Sequence, residues 1–397
     1  MLISNTRNYT IKQETLVILF MAVPFFVSNQ ILKMTDIDAV LAIWRYIDLL
    51  IVVALYMHKK KYPPLFFNIL LLTFSITIVS AIINQNSIYA AVMKIIAIFT
   101  LVLIVEYHYK KNSLNCLNAL LIGFELFIYI NFITILLYPN GLNNGEHEKI
   151  WLLDNYAAQL KWFLPAICVS FDYSIKTKKK RRLQCLLLII ILSAILSKSA
   201  TLTATLSLLF FLWNFVKNDK SKISVKMGIV ASFAFLIAIV VFRLQNYFSF
   251  LIEKILHRSL SFTGRTDIWN SALYMFSNKP ILGYGYWVYP PVPNWSVDLY
   301  TSLNGVAVAS HAHCQFLHFL IQGGVFFLAC FVGINLWLSN QLSKNGNNII
   351  SRFSSLIIFL ILIAGFVETM YDSPLVFIPY VIAYNSIVRR GKINNFL

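Results

Sequence analysis

Apolar segments follow one another along nearly the whole chain, with short polar stretches between them. Most of these segments are long enough to cross a hydrocarbon core of about 30 Å as a helix. The pattern predicts about twelve transmembrane helices, at residues 15–32, 39–57, 65–83, 88–105, 116–138, 156–171, 183–196, 202–216, 227–242, 314–338, 350–370 and 375–388. We therefore expect an all-α polytopic membrane protein in which residues 1–397 form a single membrane domain.

Composition supports a membrane protein, because 58% of the 397 residues are hydrophobic and only 12% are charged. The net charge of +17 does not indicate a nucleic-acid partner, since most of the Lys and Arg residues follow the even-numbered segments. By the positive-inside rule, this alternation predicts that both termini lie in the cytoplasm. The five cysteines show neither a disulfide framework nor zinc-site spacing.

One polar segment, residues 243–313, interrupts the apolar pattern between the ninth and tenth predicted spans. The charge alternation places it outside the cytoplasm, and we expect it to carry the active site. Apolar spacing predicts two helices within it, an amphipathic one over 247–257 and another that begins near 263 and ends at Lys279. The segment begins with the basic residues Arg243 and Arg258 and closes on two histidines.

Two cations, one inside this segment and one before it, are candidate anion ligands. Arg265 falls in the first turn of the second predicted helix, where free backbone N–H groups and a guanidinium together suit a diphosphate, although lipid headgroups would suit it equally. Lys198 lies between the seventh and eighth spans and would either meet an anion or extend to the membrane surface. Six residues are candidate substrate ligands: Lys198, Arg243, Arg258, Trp269, Lys279 and Tyr284.

The motif from Leu282 to Trp287 places two glycines among aromatic residues. No strand precedes it and no helix of the Rossmann type follows it, so a nucleotide-binding loop is not indicated. Its aromatic faces fit either a sugar-binding surface or a packed loop.

His311 and His313 stand directly before the tenth span. Such a pair can bind metal, act as a general base, or do neither. The acids of the same loop show no ligand spacing, so neither a metal nor another cofactor is expected. A neutral imidazole can accept a proton from an attacking sugar hydroxyl, which makes His313, and next His311, the candidate base.

Several ionisable residues fall inside or at the ends of predicted spans, where they are costly in lipid and indicate a functional or paired role. They include Arg45, Asp48, Lys94, Glu125, Lys161 and Glu368. Arg45 and Asp48 are three positions apart, so we expect them to share a helix face and neutralise each other.

The motifs at residues 264–269, 278–285, 311–317 and 323–324 resemble, in order and spacing, the O-antigen ligase and O-antigen polymerase superfamily of bacterial surface-polysaccharide enzymes. Two positions depart from the family pattern. Cys314 stands where the family commonly has Asn after the second histidine, and Lys198 stands where it often has Arg. The first departure removes an amide that could orient His313.

The resemblance implies metal-independent, inverting transfer of glycan from a polyprenyl-diphosphate carrier at the outer face of a bacterial cytoplasmic membrane. Carried onto this chain, Arg265 would hold the leaving diphosphate, with Lys198 sharing that work, and His313 would be the base. The implied partners are lipid-linked donor and acceptor, the bilayer, a flippase and a chain-length regulator. No nucleic acid is implied.

Four functions remain open. The chain would be a polymerase of lipid-linked repeat units for capsule, exopolysaccharide or O-antigen, which a turn near Pro139 favours, or a ligase that transfers glycan to a lipid core. A third possibility is a metal-dependent glycosyltransferase, because Asp36 and Asp38 resemble the metal site of other lipid-linked glycosyltransferases. A flippase or transporter would also have many spans, but it would not need the long external loop and usually has internal repeats.

Overall fold

In the computed structural model, the helices of the described residues pack around one large hydrophobic core. The structure describes residues 13–60, 62–142, 149–217, 223–250, 254, 265–286, 290–291, 302–303, 306–309, 311–344 and 348–394. Most of the predicted helix at 247–257 lies outside these ranges. The candidate ligand Arg258 lies outside them as well.

Helices account for almost all the regular structure of the described residues. They are α1 (Gln13–Phe25), α2 (Asn29–Thr35), α3 (Asp38–His58), α4 (Leu65–Ile83), α5 (Ile88–Lys111), α6 (Ser113–Leu137), α7 (Leu160–Thr177), α8 (Arg181–Leu196), α9 (Ala200–Lys217), α10 (Val225–Phe235), α11 (Arg265–Asn278), α12 (Gln315–Lys344), α13 (Ile349–Ala364) and α14 (Ile378–Asn394). Two antiparallel two-residue pairs accompany them: β1 (Ile150–Trp151) with β2 (Asp154–Asn155), and β3 (Ser302–Leu303) with β4 (Val306–Ala307).

The all-α membrane class is confirmed. Among the described residues, 6 helices are long and apolar enough to cross a membrane, and shorter apolar helices accompany them. The first predicted span, 15–32, is instead divided into α1 and α2, because the 3₁₀ turn Val23–Phe25, which contains Pro24, ends α1 before α2 begins at Asn29. The count of twelve spans stays a prediction.

The eleventh predicted span also ends early, and this break matters for the site. Helix α13 stops at Ala364, and 3₁₀ turns at Met370–Asp372 and Pro374–Phe377 lead to α14. Gln315 holds this break against the start of α12, since its N–H donates to Gly365 O at 2.6 Å and its Oε1 accepts from Tyr371 N at 2.9 Å. Glu368 lies between these two attachment points.

The polar contacts between helix ends agree with the predicted alternation. Lys111 Nζ lies 2.7 Å from Glu14 Oε1, which joins two ends predicted to be cytoplasmic. Asn84 Nδ2 donates to Gly283 O at 2.9 Å, which joins two loops predicted to be external. Which end faces outward stays a prediction from charge.

Helix α12 is kinked at Gly324, whose φ of 65° and ψ of −164° are accessible essentially to glycine alone. The kink leaves backbone groups without helical partners, and the loop after α11 supplies new ones. Tyr284 N donates to Ile321 O at 2.7 Å, and Val325 N donates to Pro280 O at 2.8 Å. The two glycine-containing motifs of the sequence therefore pack against each other.

We expect Gly324→Ala to disrupt this joint. A Cβ there would lie 2.1 Å from Ile281 O, and the backbone conformation alone costs a residue with Cβ about 1–3 kcal/mol. The variant should denature at a lower temperature in detergent and yield less monodisperse protein. Gly333→Ala in the same helix is the control, because nothing lies within 4 Å of its added Cβ. Equal thermal stability of the two variants would contradict the packing argument.

Candidate active site

The histidine motif lies at the entrance to α12 and is held by α11. Trp269 is 1% exposed, and its Nε1 donates to Ala312 O at 3.1 Å, which fixes the backbone between the two histidines. His313 adopts a left-handed φ of 46°, which turns the chain into the helix. The two imidazole centroids lie 4.0 Å apart.

Glu368 contacts both histidines from the break after α13. His311 Nε2 lies 2.8 Å from Glu368 Oε1, and His313 Nδ1 lies 3.8 Å from Oε2. Lys161 of α7 places its Nζ 3.8 Å from Oε1 of the same carboxylate. We call these four residues the His–Glu cluster.

Burial and mutual charges together set the ionisation of the His–Glu cluster. Burial opposes the charged form of Glu368, yet the charges of His311 and Lys161 hold its pKa well below the usual value. Burial also lowers the pKa of His313, and the nearby charge of His311 lowers it further. At neutral pH, Glu368 is therefore ionised and His313 is neutral, the state that a general base requires.

Arg265 is the first residue of α11 and is partly buried. Its positive charge also lowers the pKa of His313, after the effects of burial and His311, so it acts electrostatically on the cluster. Arg243 is engaged with the same helix, because its Nη2 donates to Thr266 O at 3.4 Å and to Asn270 Oδ1. The structure thus brings Arg265 and both histidines into one region.

A second charged group adjoins the His–Glu cluster. Lys94 of α5 lies 3.9 Å from Asp372 Oδ1 and also donates to the Asp372 carbonyl. His318 Nε2 lies 3.8 Å from Asp372 Oδ2 and 2.9 Å from Gln322 Nε2. Lys94 is therefore paired and does not stand alone in the apolar interior.

The structure places the other predicted ligands as follows. Lys198 is exposed in the α8–α9 turn. Lys279 Nζ donates to Asn84 Oδ1 and lies 4.7 Å from the Tyr284 ring centroid. Substrate binding by these residues, and by Trp269 and Arg243, stays a prediction.

The expected Arg45–Asp48 pair does not form among the described residues. Arg45 Nη2 donates to Pro24 O at 2.8 Å, at the break between α1 and α2. Asp48 is buried on α3 at 1% exposure. Asp36 and Asp38, the alternative metal motif, are exposed where α2 meets α3.

Sequence reasoning did not include Glu368 and Lys161 among the site residues. Both were recognisable as ionisable residues in apolar segments, a signal that points to function or pairing. Their shared location was not visible, since Lys161 of α7 and Glu368 of the break after α13 are far apart in the chain.

Residues 183–332 match the family model described as O-antigen ligase. This match supports the O-antigen ligase and polymerase superfamily that the motifs resemble, and with it a glycosyltransferase-like activity in general terms. It includes Arg265 and both histidines, while Lys161 and Glu368 lie outside it. No curated protein matches the sequence significantly.

Proposed function

We propose that this protein polymerises oligosaccharide repeat units carried on a polyprenyl diphosphate, by inverting transfer and without a catalytic metal. The observation that carries the proposal is the convergence of His311, His313 and Glu368 beside Arg265. The donor is already activated by its diphosphate. The protein therefore needs only to position the acceptor, remove one proton and neutralise the leaving group.

His313 is the base in this proposal. The acceptor hydroxyl oxygen attacks the anomeric carbon, and its proton passes to the neutral imidazole as the bond to the diphosphate breaks. Glu368 then stabilises the imidazolium, as a carboxylate beside a catalytic histidine does in other enzymes. His311, which lies 2.8 Å from Glu368, holds the carboxylate in place.

Arg265 neutralises the negative charge that develops on the departing diphosphate. A guanidinium suits this role because it does not titrate and can bind two phosphate oxygens at once. Its place at the start of α11 adds the free N–H groups of the first helical turn.

The acceptor distinguishes polymerase from ligase, and the products report it directly. Purified protein reconstituted with lipid-linked repeat units should yield a ladder of products on a gel. A single shifted band that appears only when a lipid core is added would replace polymerase by ligase. Transport of the lipid-linked unit without new glycosidic bonds would favour a flippase.

We expect Glu368→Gln to lower kcat at least about tenfold with little change in KM, because the neutral amide no longer stabilises the protonated base. Glu368→Asp should restore part of kcat, since it keeps the charge. Gel filtration checks that both variants are folded. Equal kcat for the Gln variant and the unmodified protein would contradict a positioning role for Glu368.

A further inference from the structure

The His–Glu cluster also has the composition of a metal site. One ligand atom from each of His311, His313 and Glu368 lies within 4.8 Å of the others. Two imidazoles and one carboxylate form a ligand set that binds Zn²⁺ in proteins and leaves a fourth position open. Sequence reasoning set metal aside because the acids of the loop lacked ligand spacing, whereas the structure supplies the acid from beyond α13.

We propose that these three side chains bind a divalent transition ion of the Zn²⁺ class, and that the bound ion blocks glycan transfer. The inhibitory part rests on the proposed function, while the metal site itself does not. The binding step exchanges only water and ligands, so no oxidant or reductant is involved.

The geometry of the cluster fits this ligand set. Ligand atoms of tetrahedral zinc lie about 3.3 Å apart when each bond is about 2.0 Å. Here His313 Nδ1 lies 3.8 Å from Glu368 Oε2, and one ligand atom of each of the three residues lies within 4.8 Å of the others. A change of about 0.5 Å, within reach of side-chain rotation, brings the distance between His313 Nδ1 and Glu368 Oε2 to the zinc value.

Two of the ligand atoms lack hydrogen bonds. Within the described part of the chain, no hydrogen-bond partner reaches Glu368 Oε2 or His313 Nδ1, although both atoms are buried. Glu368 itself is only 1% exposed. A buried polar atom without a partner is costly, and a bound cation would satisfy both atoms together.

The groups around Glu368 leave one of its carboxylate oxygens available to an ion, but their charges lower the affinity for a cation. Thr369 N donates to Glu368 Oε1 at 3.0 Å and Lys161 lies 3.8 Å from the same oxygen, so Oε2 is the oxygen left for an ion. The charges of Lys161 and Arg265 repel a cation. We therefore expect reversible binding, weaker than at a structural zinc site.

Metal binding and base catalysis exclude each other at His313. A metal–nitrogen bond uses the imidazole lone pair and requires the neutral ring, and the ion also engages the carboxylate that would stabilise the imidazolium. The bound ion thus removes the base while the fold stays intact. Extracytoplasmic zinc would then act as a reversible off-switch for the proposed transfer.

The test combines metal binding with activity on the full-length protein in detergent. Calorimetry with Zn²⁺, and the visible absorption of Co²⁺ as a second probe, should give one ion per chain. Affinity should fall at least about tenfold in His311→Ala and in Glu368→Gln, and stay unchanged in His58→Ala, an exposed histidine at the far end of α3. Saturating Zn²⁺ should lower transfer at least about tenfold, and EDTA should restore it.

Each result decides one of the two proposals. Absence of Zn²⁺ and Co²⁺ binding, or equal binding by His311→Ala and the unmodified protein, would overturn the metal site. Loss of transfer in EDTA would overturn the inhibitory role, because the ion would then be required. Tight, variant-sensitive binding in a protein that transfers no glycan under any condition would leave the metal site standing and refute the proposed function.

Discussion

Replacing His313 by alanine is expected to lower chain extension by about two to four orders of magnitude, the usual contribution of a general base. The side chain lies beside an ionised carboxylate and is itself neutral, so in the proposed mechanism its loss leaves the attacking hydroxyl without a proton acceptor. Product ladders from reconstituted protein with lipid-linked repeat units measure the effect. Single repeat units should still reach the outer face of cells that carry the variant.

Two histidine variants serve as comparisons for this result. His58→Ala removes an exposed histidine at the C-terminal end of α3 and should leave the product ladder unchanged. His311→Ala should lower the rate less than His313→Ala, because Glu368 and the proposed base remain. A greater loss in His311→Ala would transfer the base role to His311, and normal long-chain polymer in His313→Ala would refute the assignment.

Arg265→Ala should lower transfer by about two to three orders of magnitude, since it removes the fixed charge that, in the proposed mechanism, neutralises the leaving diphosphate. Arg265→Lys should recover only part of the rate, because an ammonium cannot reproduce the two-pronged contact of a guanidinium. Steady-state transfer rates at saturating donor measure both variants.

Arg181→Ala is the matched control, because this exposed arginine lies at the start of α8, an end predicted to be cytoplasmic. Its rate should equal that of the unmodified protein. Full activity in Arg265→Ala would move the diphosphate site away from α11. Lys161 would then be the next cation to replace.

The sequence predicted the local structure well wherever the hydrophobic pattern was strong. The predicted span 65–83 matches α4, and the helix expected to end at Lys279 ends at Asn278. The pattern was less informative where helices break within apolar segments. The divisions after Phe25 and Ala364 were not predicted, because apolar residues continue directly past each of them, at Phe26 and Val27 and at Phe366 and Val367.

Part of the candidate site was also accessible from the sequence. His311, His313 and Arg265 stood out because polar residues with catalytic chemistry are rare in so apolar a chain. Their residue types and order sufficed for a chemical hypothesis and for the resemblance. The glycines of residues 280–285 and 323–324 stood out too, but what each pair does there was not evident.

The sequence by itself determined the membrane class, most helices and the chemistry that the polar segment offers, since these depend on composition and short-range periodicity. Only the tertiary structure decided that Glu368 and Lys161 join the histidines, and that the loop after α11 packs into the α12 kink. Both depend on contacts between residues distant in the chain, and no local pattern encodes which buried charges and backbone groups will meet. Burial requires such contacts, because an unpaired charge or an N–H group without a hydrogen bond in an apolar interior costs too much free energy.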